Sequence, residues 1–289
     1  MTGLLLVDKP EGVSSAGVIR VLKPLLRGTK VGHLGTLDPF ASGLLPLCLG
    51  EATKVARHLL LEDKAYTGVI RLGVETDTLD RTGREVATAP VPDDIAGRLA
   101  AVATTFLGRQ RQTPPMYSAL KRGGTPLYAL ARRGVEVERE ARDIEIRRFE
   151  LELIDPERMA FAVDCSKGTY VRVLAADVGR ALGTVAHLET LRRTAVGDFR
   201  VEQALSPEAL AALPELPLIP VREALSGLRA FGLAPEGLAS LRRGQQGVLR
   251  DLPPPRSEEA AVILDEGGHV TALLDSGPAG WRLARLLLI

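Results

Sequence analysis

Between Val31 and Lys54 four glycines and two prolines crowd around the carboxylate of Asp38, and an apolar run follows. Glycine tolerates positive φ and lets another chain come close, so such a stretch can fold into a tight loop against its neighbours. The residue before a proline is pushed out of the helical region, which makes Asp38-Pro39 a turn. Leu44 to Leu49, bounded by Gly43 and Gly50, reads as a short buried strand. An Asp-Pro pair alone is an ordinary surface turn. Here the carboxylate is instead held on a rigid loop beside a core strand, an arrangement suited to catalysis.

The flanking segments alternate short strands and helices. Gly3 to Asp8 reads as a strand, Lys9 to Gly12 as a turn, and Ser14 or Ser15 as the cap of a helix running towards Leu26, with Pro24 inside its last turn. Glu51 to Leu61 reads as a helix and Asp63 to Gly73 as an alternating strand. Glu75 to Gly83 is acidic, ends in a turn, and is expected to lie away from any phosphates. Pro92 to Phe106 reads as a helix, with Asp93 or Asp94 near its positive end. Arg142 to Ile154 and Met159 to Cys165 read as strands joined at Asp155-Pro156-Glu157, and a helix follows to Leu182 with Val171, Leu174, Ala175 and Val178 on its apolar face. Leu213 to Pro220 is proline-dense and reads as a stiff linker. Beyond it, Ala260 to Leu264 and His269 to Leu274 read as hairpin strands around Gly267-Gly268, and Trp281 to Ile289 as a last strand.

Composition narrows the classes. A chain of 289 residues with 45% apolar content can bury a substantial core in one large domain, or in a large and a small one. Two cysteines without paired spacing, Cys48 and Cys165, argue for a reducing compartment. Four scattered histidines show no metal-ligand spacing, and no stretch reads as a signal peptide or membrane span. A cytoplasmic protein without metal or redox cofactor is expected. The chain contains no asparagine, which a thermophilic source or a GC-rich genome would each explain.

A net charge of +1 gives no global sign of an anionic partner, but charge is unevenly placed. Arg109, Arg111, Lys121, Arg122, Arg132 and Arg133 fall between Leu107 and Arg133 with no acidic residue among them. Basic side chains bind phosphates by displacing counterions. Tyr117 and Tyr128 in the same stretch could stack on bases. Arg172 sits near a helix start, where the dipole disfavours a cation, so it needs a carboxylate partner.

The run Gly32-His33-Leu34-Gly35-Thr36-Leu37-Asp38-Pro39, followed by Ala41-Ser42-Gly43-Leu44-Leu45-Pro46, resembles the catalytic motif of the TruB family of pseudouridine synthases. The family pattern usually has Thr and Ala where this chain has Leu34 and Thr36; neither change touches the aspartate. Asp8 to Ser15, Pro114 to Lys121, Cys165 to Arg172 and His187 to Thr194 resemble further segments of the family, so the likeness runs from Gly3 to about Gly197. It implies an α+β fold with a mixed, mostly antiparallel sheet and flanking helices. Residues 1–222 would be the catalytic domain, with an RNA-gripping insertion around 107–150, and residues 223–289 a small β-rich RNA-binding module of the PUA type.

The implied activity is isomerisation of uridine 55 in the T loop of tRNA. The N-glycosidic bond is cut and the base rejoined through C5, with no net redox change and no cofactor. The resemblance makes Asp38 the nucleophile or base at the sugar and Arg172 its partner, and puts Tyr66 against the target base. It assigns Leu191 and Tyr170 to the target nucleotide and His33 to the space the flipped base leaves. Lys9 lies in a loop near the site, with a structural role equally open. Arg109, Arg111, Tyr117, Lys121 and Arg132 would contact RNA. The start of the chain at the catalytic domain suggests a stand-alone enzyme without obligatory protein partner. A guide-RNA-dependent synthase of ribosomal RNA and a tRNA-folding chaperone are the alternatives.

Overall fold

The computed structural model of the protein describes residues 1–59 and 63–288. In chain order its strands are β1 (Gly3–Lys9), β2 (Val31–His33), β3 (Ser42–Leu49), β4 (Lys64–Leu72), β5 (Val74–Thr76), β6 (Glu85–Thr88), β7 (Gly108–Gln112), β8 (Lys121–Arg122), β9 (Thr125–Pro126), β10 (Arg142–Asp155), β11 (Arg158–Cys165), β12 (Ala186–Val196), β13 (Phe199–Arg200), β14 (Arg229–Gly232), β15 (Ala260–Leu264), β16 (Val270–Gly277) and β17 (Gly280–Leu286). The helices are α1 (Ser15–Leu22), α2 (Ala56–Leu59), α3 (Ile95–Thr105), α4 (Leu127–Ala131), α5 (Val171–Ala181), α6 (Pro207–Ala211), α7 (Val221–Ala224) and α8 (Pro235–Arg242).

One sheet organises the molecule, in the order β1-β3-β12-β4-β11-β10-β7, with β2 beside β3 and β13 beside β12. Its neighbours run antiparallel except at β3 and β12, which meet in parallel through Ser42 and Gly43 opposite Arg192 and Arg193. The expected mixed, mostly antiparallel sheet is therefore present. Two sequence textures explain its two halves. The unbroken apolar runs of β1 and β3 are buried on both faces. Leu5, Val7, Leu45, Leu47 and Leu49 pack on α1 and α6, while Leu4 and Cys48 pack on the opposite side. β11 alternates because helices cover one face only: Met159, Phe161, Val163 and Cys165 meet α3 and α5. Val171, Leu174, Ala175 and Val178 of α5 are buried there, as their spacing predicts.

Several expectations need correction. The first helix stops at Leu22, two residues before Pro24 rather than at Leu26, and the chain reaches Gly28 by turns. Ser14 is its cap, accepting from the Gly17 amide at 3.0 Å. The helix expected over Glu51 to Leu61 is a 3₁₀ segment, Gly50–Lys54, followed by α2, and Leu60 and Leu61 lie outside the described residues. Leu213 to Pro220 is no free linker: Ile219 exchanges two 2.8 Å backbone hydrogen bonds with Leu4.

The C-terminal strands form a second sheet, β14-β15-β16-β17. Val262, Val270, Leu273 and Leu287 share one apolar cluster with Leu4, Leu34, Cys48, Ala52, Val55 and Leu59. Lys54 donates to the Leu286 carbonyl at 2.9 Å and the Leu288 amide to Glu51 at 2.6 Å. Among the described residues no helix is long and apolar enough to cross a membrane.

Candidate active site

Asp38 sits on a loop whose backbone is pinned on both sides. The buried Ser15 hydroxyl accepts from the Leu37 amide at 2.9 Å and donates to the Leu37 carbonyl at 3.1 Å. After the aspartate, the Pro39 carbonyl accepts from the Gly12 amide at 2.7 Å and from the Lys9 ammonium at 3.3 Å. Lys9 also donates to the carbonyls of Pro10 and Val13, at 2.9 and 2.7 Å, and its side chain is wholly buried. It therefore braces the loop and presents no surface to RNA, so of the two roles open to it the structural one fits its burial. Burial lowers its pKa to about 8, opposed by the nearby Asp38 and Glu11 carboxylates.

The guanidinium of Arg172 faces Asp38. Its Nε lies 2.9 Å from the Asp38 carboxylate, so the carboxylate partner that its position demanded is present. Nη1 donates to the Thr78 carbonyl at 2.8 Å and stands 3.6 Å from the Asp80 carboxylate. Nη2 donates to the Tyr117 carbonyl at 2.7 Å. One buried side chain thus ties four segments together: the Asp38 loop, the 77–83 turn, the 114–120 loop and α5. Asp80 was missed at the sequence level. The acidic 75–83 segment, expected to lie away from phosphates, in fact walls the same cleft as Asp38. Asp80 is tolerated inside because Thr78 and Thr82 hydroxyls and the Thr82 amide all donate to its Oδ1.

Burial pushes the Asp38 carboxyl above the usual carboxylate range; Arg172 pulls it back and Asp80 adds to the rise. Arg172 therefore orients Asp38 and offsets part of its desolvation, rather than depressing it outright as the pairing alone suggests. The result is a carboxylate held in a fixed direction by Arg172 and still open to the cleft.

Two cavities meet at this ion pair. An outer cleft of about 920 Å³ is lined by His33, Tyr117, Tyr128, Arg132 and Arg84 among others. An inner chamber of about 360 Å³ is lined by Tyr66, Tyr170, Leu191, Lys64 and Arg193. Asp38 and Arg172 line both. Of the residues read from the sequence, Asp38, Arg172, Tyr66, Tyr170, Leu191, His33, Tyr117 and Arg132 converge here. Burial lowers the pKa of His33, with the Arg193 charge adding to the effect, and its buried Nδ1 has no hydrogen-bond partner. Arg132 lies over the Tyr128 ring, 5.6 Å from its centroid. Lys121 sits on the β8–β9 hairpin beside an adjoining cavity with Arg122, Arg139 and Arg142. Arg109 and Arg111 project from the outer edge strand β7, opposite Glu145 and Asp143, and line neither cavity. Among the described residues no group of three His, Cys, Asp or Glu side chains could hold a metal ion.

Residues 23–171 match the model of the TruB family pseudouridylate synthase N-terminal domain, and residues 172–216 that of the tRNA pseudouridylate synthase B C-terminal domain. The chain belongs to the TruB family. Relatives include the tRNA pseudouridine synthase B of Azoarcus sp. (strain BH72), 43% identical over 99% of this chain and 94% of that protein. That of Aromatoleum aromaticum is 53% identical over 73% of this chain and 68% of that protein. Among solved structures, a chain from the Cbf5-Nop10-Gar1 complex superposes with a TM-score of 0.74 at 24% identity, covering 99% of this chain and 85% of that one. At that identity the likeness is one of fold.

Proposed function

We propose that the protein isomerises uridine 55 in the T loop of tRNA to pseudouridine. The observation that carries this reading is the Asp38–Arg172 pair, at 2.9 Å, standing where the outer cleft opens into the inner chamber. The cleft takes the T loop, and one uridine is flipped past the ion pair into the chamber, which is sized for a base rather than a helix. Asp38 then attacks C1′ or removes a sugar proton as the N1–C1′ bond breaks. The freed uracil turns between Tyr66 and Leu191 and C5 bonds to C1′ as the Asp38 ester breaks or the sugar proton is returned; the C5 proton then leaves and N1 ends protonated. The rearrangement is redox-neutral, so the chemistry calls for no electron carrier. His33 enters the space left in the loop, and Tyr170 closes the chamber wall. Arg132, Tyr117 and the Lys121 hairpin hold the RNA through phosphates and base faces.

Residues 1–222 act as the catalytic unit and residues 223–289 as a PUA-like RNA-binding module. The enzyme works in the cytoplasm without an obligatory protein partner; the names of its 43–53% identical relatives favour tRNA over a guided ribosomal substrate. The test is tritium release from C5-labelled T-arm transcript by purified protein alone. Asp38→Asn should abolish release while RNA binding persists, and turnover by that variant at the wild-type rate would overturn the assignment.

A further inference from the structure

A second arginine is buried at the site. Arg193 of β12 is 1% exposed, and among the described residues no carboxylate lies within ion-pair distance of it. Its Nε donates to the Leu44 carbonyl at 2.7 Å and its Nη2 to the Gly35 carbonyl at 3.2 Å. An uncompensated buried cation is costly to keep, so its position calls for a reason.

The backbone fixes that position closely. Arg193 pairs with Tyr66 across β4 and β12, at a break in register between Arg193 and Ala195 that marks a bulge. On its other side it meets Gly43 of β3, where an added Cβ would fall 2.3 Å from the Arg193 carbonyl oxygen. Gly43 has φ +102°, so only glycine admits this approach. Pairing across the strands brings the guanidinium to the Tyr66 side of the sheet, and both residues line the inner chamber.

We propose that Arg193 is a positioning residue for Tyr66. A guanidinium can only donate, so it engages the phenol oxygen as an acceptor. The phenol proton must then point elsewhere, and the open side is the chamber. Tyr66 becomes a directed donor to the flipped uridine, backed by a positive charge. Burial alone makes the phenol hard to ionise, and Arg193 opposes that. The other groups facing the ring are Cys165 from β11 and Asp38 from the catalytic loop, while Lys64, Tyr170 and Arg172 line the same chamber. Of these, Arg193 is the residue paired directly with Tyr66 across β4 and β12.

This inference rests on reading the inner chamber as the uridine site, but it can fail separately. The experiment places 3-fluorotyrosine at position 66 and follows its fluorine resonance against pH in the full-length protein. In Arg193→Gln the ionisation midpoint should move to higher pH, and single-turnover pseudouridine formation should fall about tenfold or more. Because the fluorinated phenol is the more acidic, it should restore part of the activity lost in Arg193→Gln relative to the same variant with ordinary tyrosine. A purely structural role for Arg193 would show neither the shift nor the rescue.

A midpoint unmoved by the substitution, in a protein that still forms pseudouridine with Arg193 present, overturns the proposal and leaves the site assignment standing. Should Arg193→Gln fail to fold, Tyr66→Phe removes only one oxygen. The Arg193 guanidinium resonances in 15N-arginine-labelled protein should then shift and exchange faster. Unchanged resonances refute the pairing.

Discussion

Replacing Arg172 with lysine tests whether the site depends on the shape of the guanidinium or only on its charge. Lysine keeps a cation that can reach Asp38, but it is a point donor and cannot also serve the carbonyls of Thr78 and Tyr117 in their present directions. Each buried carbonyl left without a donor costs about 1–3 kcal/mol, so two give about 2–6 kcal/mol. The low end is the better guide, because the lysine amine recovers part of one contact. A loss of about 2–3 kcal/mol should lower Tm by roughly 4–12 °C for a domain of this size. The Asp38 loop, the 77–83 turn and the 114–120 loop would then share no common anchor. A displacement of the carboxylate by about 1 Å is enough to cost on the order of 100-fold in rate. Circular-dichroism melts and single-turnover tritium release measure the two effects on the same samples. An Arg172→Lys protein that melts within a degree of wild type and turns over within twofold of it would show that charge alone suffices.

Three further outcomes follow from the same geometry. Because burial raises the folded-state pKa of Asp38, protonation favours the native form. Its contribution should thus be lost as pH rises from the unfolded value of 3.8 through the raised folded value, a loss that urea melts of wild type should show and that Asp38→Asn, which cannot titrate there, should lack. Lys9 has the opposite sense of charge: its folded pKa of about 8 lies below the unfolded 10.5, so raising the pH across that window stabilises the native state. Lys9→Met should flatten this gain, as read by urea melts at pH 7.5 and 10, and lower activity by freeing the Pro39 carbonyl. Lys121→Ala and Arg132→Ala should each weaken T-arm binding and reduce the slope of log affinity against log salt by about 1 if each meets a phosphate. Filter binding across salt concentrations checks this, and the single-turnover rate at saturating enzyme should stay near that of wild type.

The sequence disclosed what is local or chemically loud. The strand β3 between two glycines, the turn at Asp155-Pro156-Glu157 and the apolar face of α5 all follow from spacing and turn chemistry. Asp38 stood out because glycines and prolines crowd around it. Asp80 did not, because an acidic stretch looks solvated until the Thr78 and Thr82 donors and Arg172 are seen folded over it. Arg193 was hidden for a similar reason. A charged residue in an alternating strand reads as outward-facing, and only the contact with Gly43 and Tyr66 reveals that it points inward. The proline-dense 213–220 stretch looked like a spacer since proline donates no backbone hydrogen bond; Ile219, between the prolines, supplies the pairing instead.

The way Arg172 gathers its partners also sets when in its own synthesis the enzyme can become competent. Asp38, Thr78 and Tyr117 all leave the ribosome before the arginine that links them. Until residue 172 has emerged and α5 has docked, the Asp38 carboxyl lacks the guanidinium that orients it. A nascent chain carrying the complete Asp38 motif should therefore be inert towards RNA, and activity should switch on only late in translation.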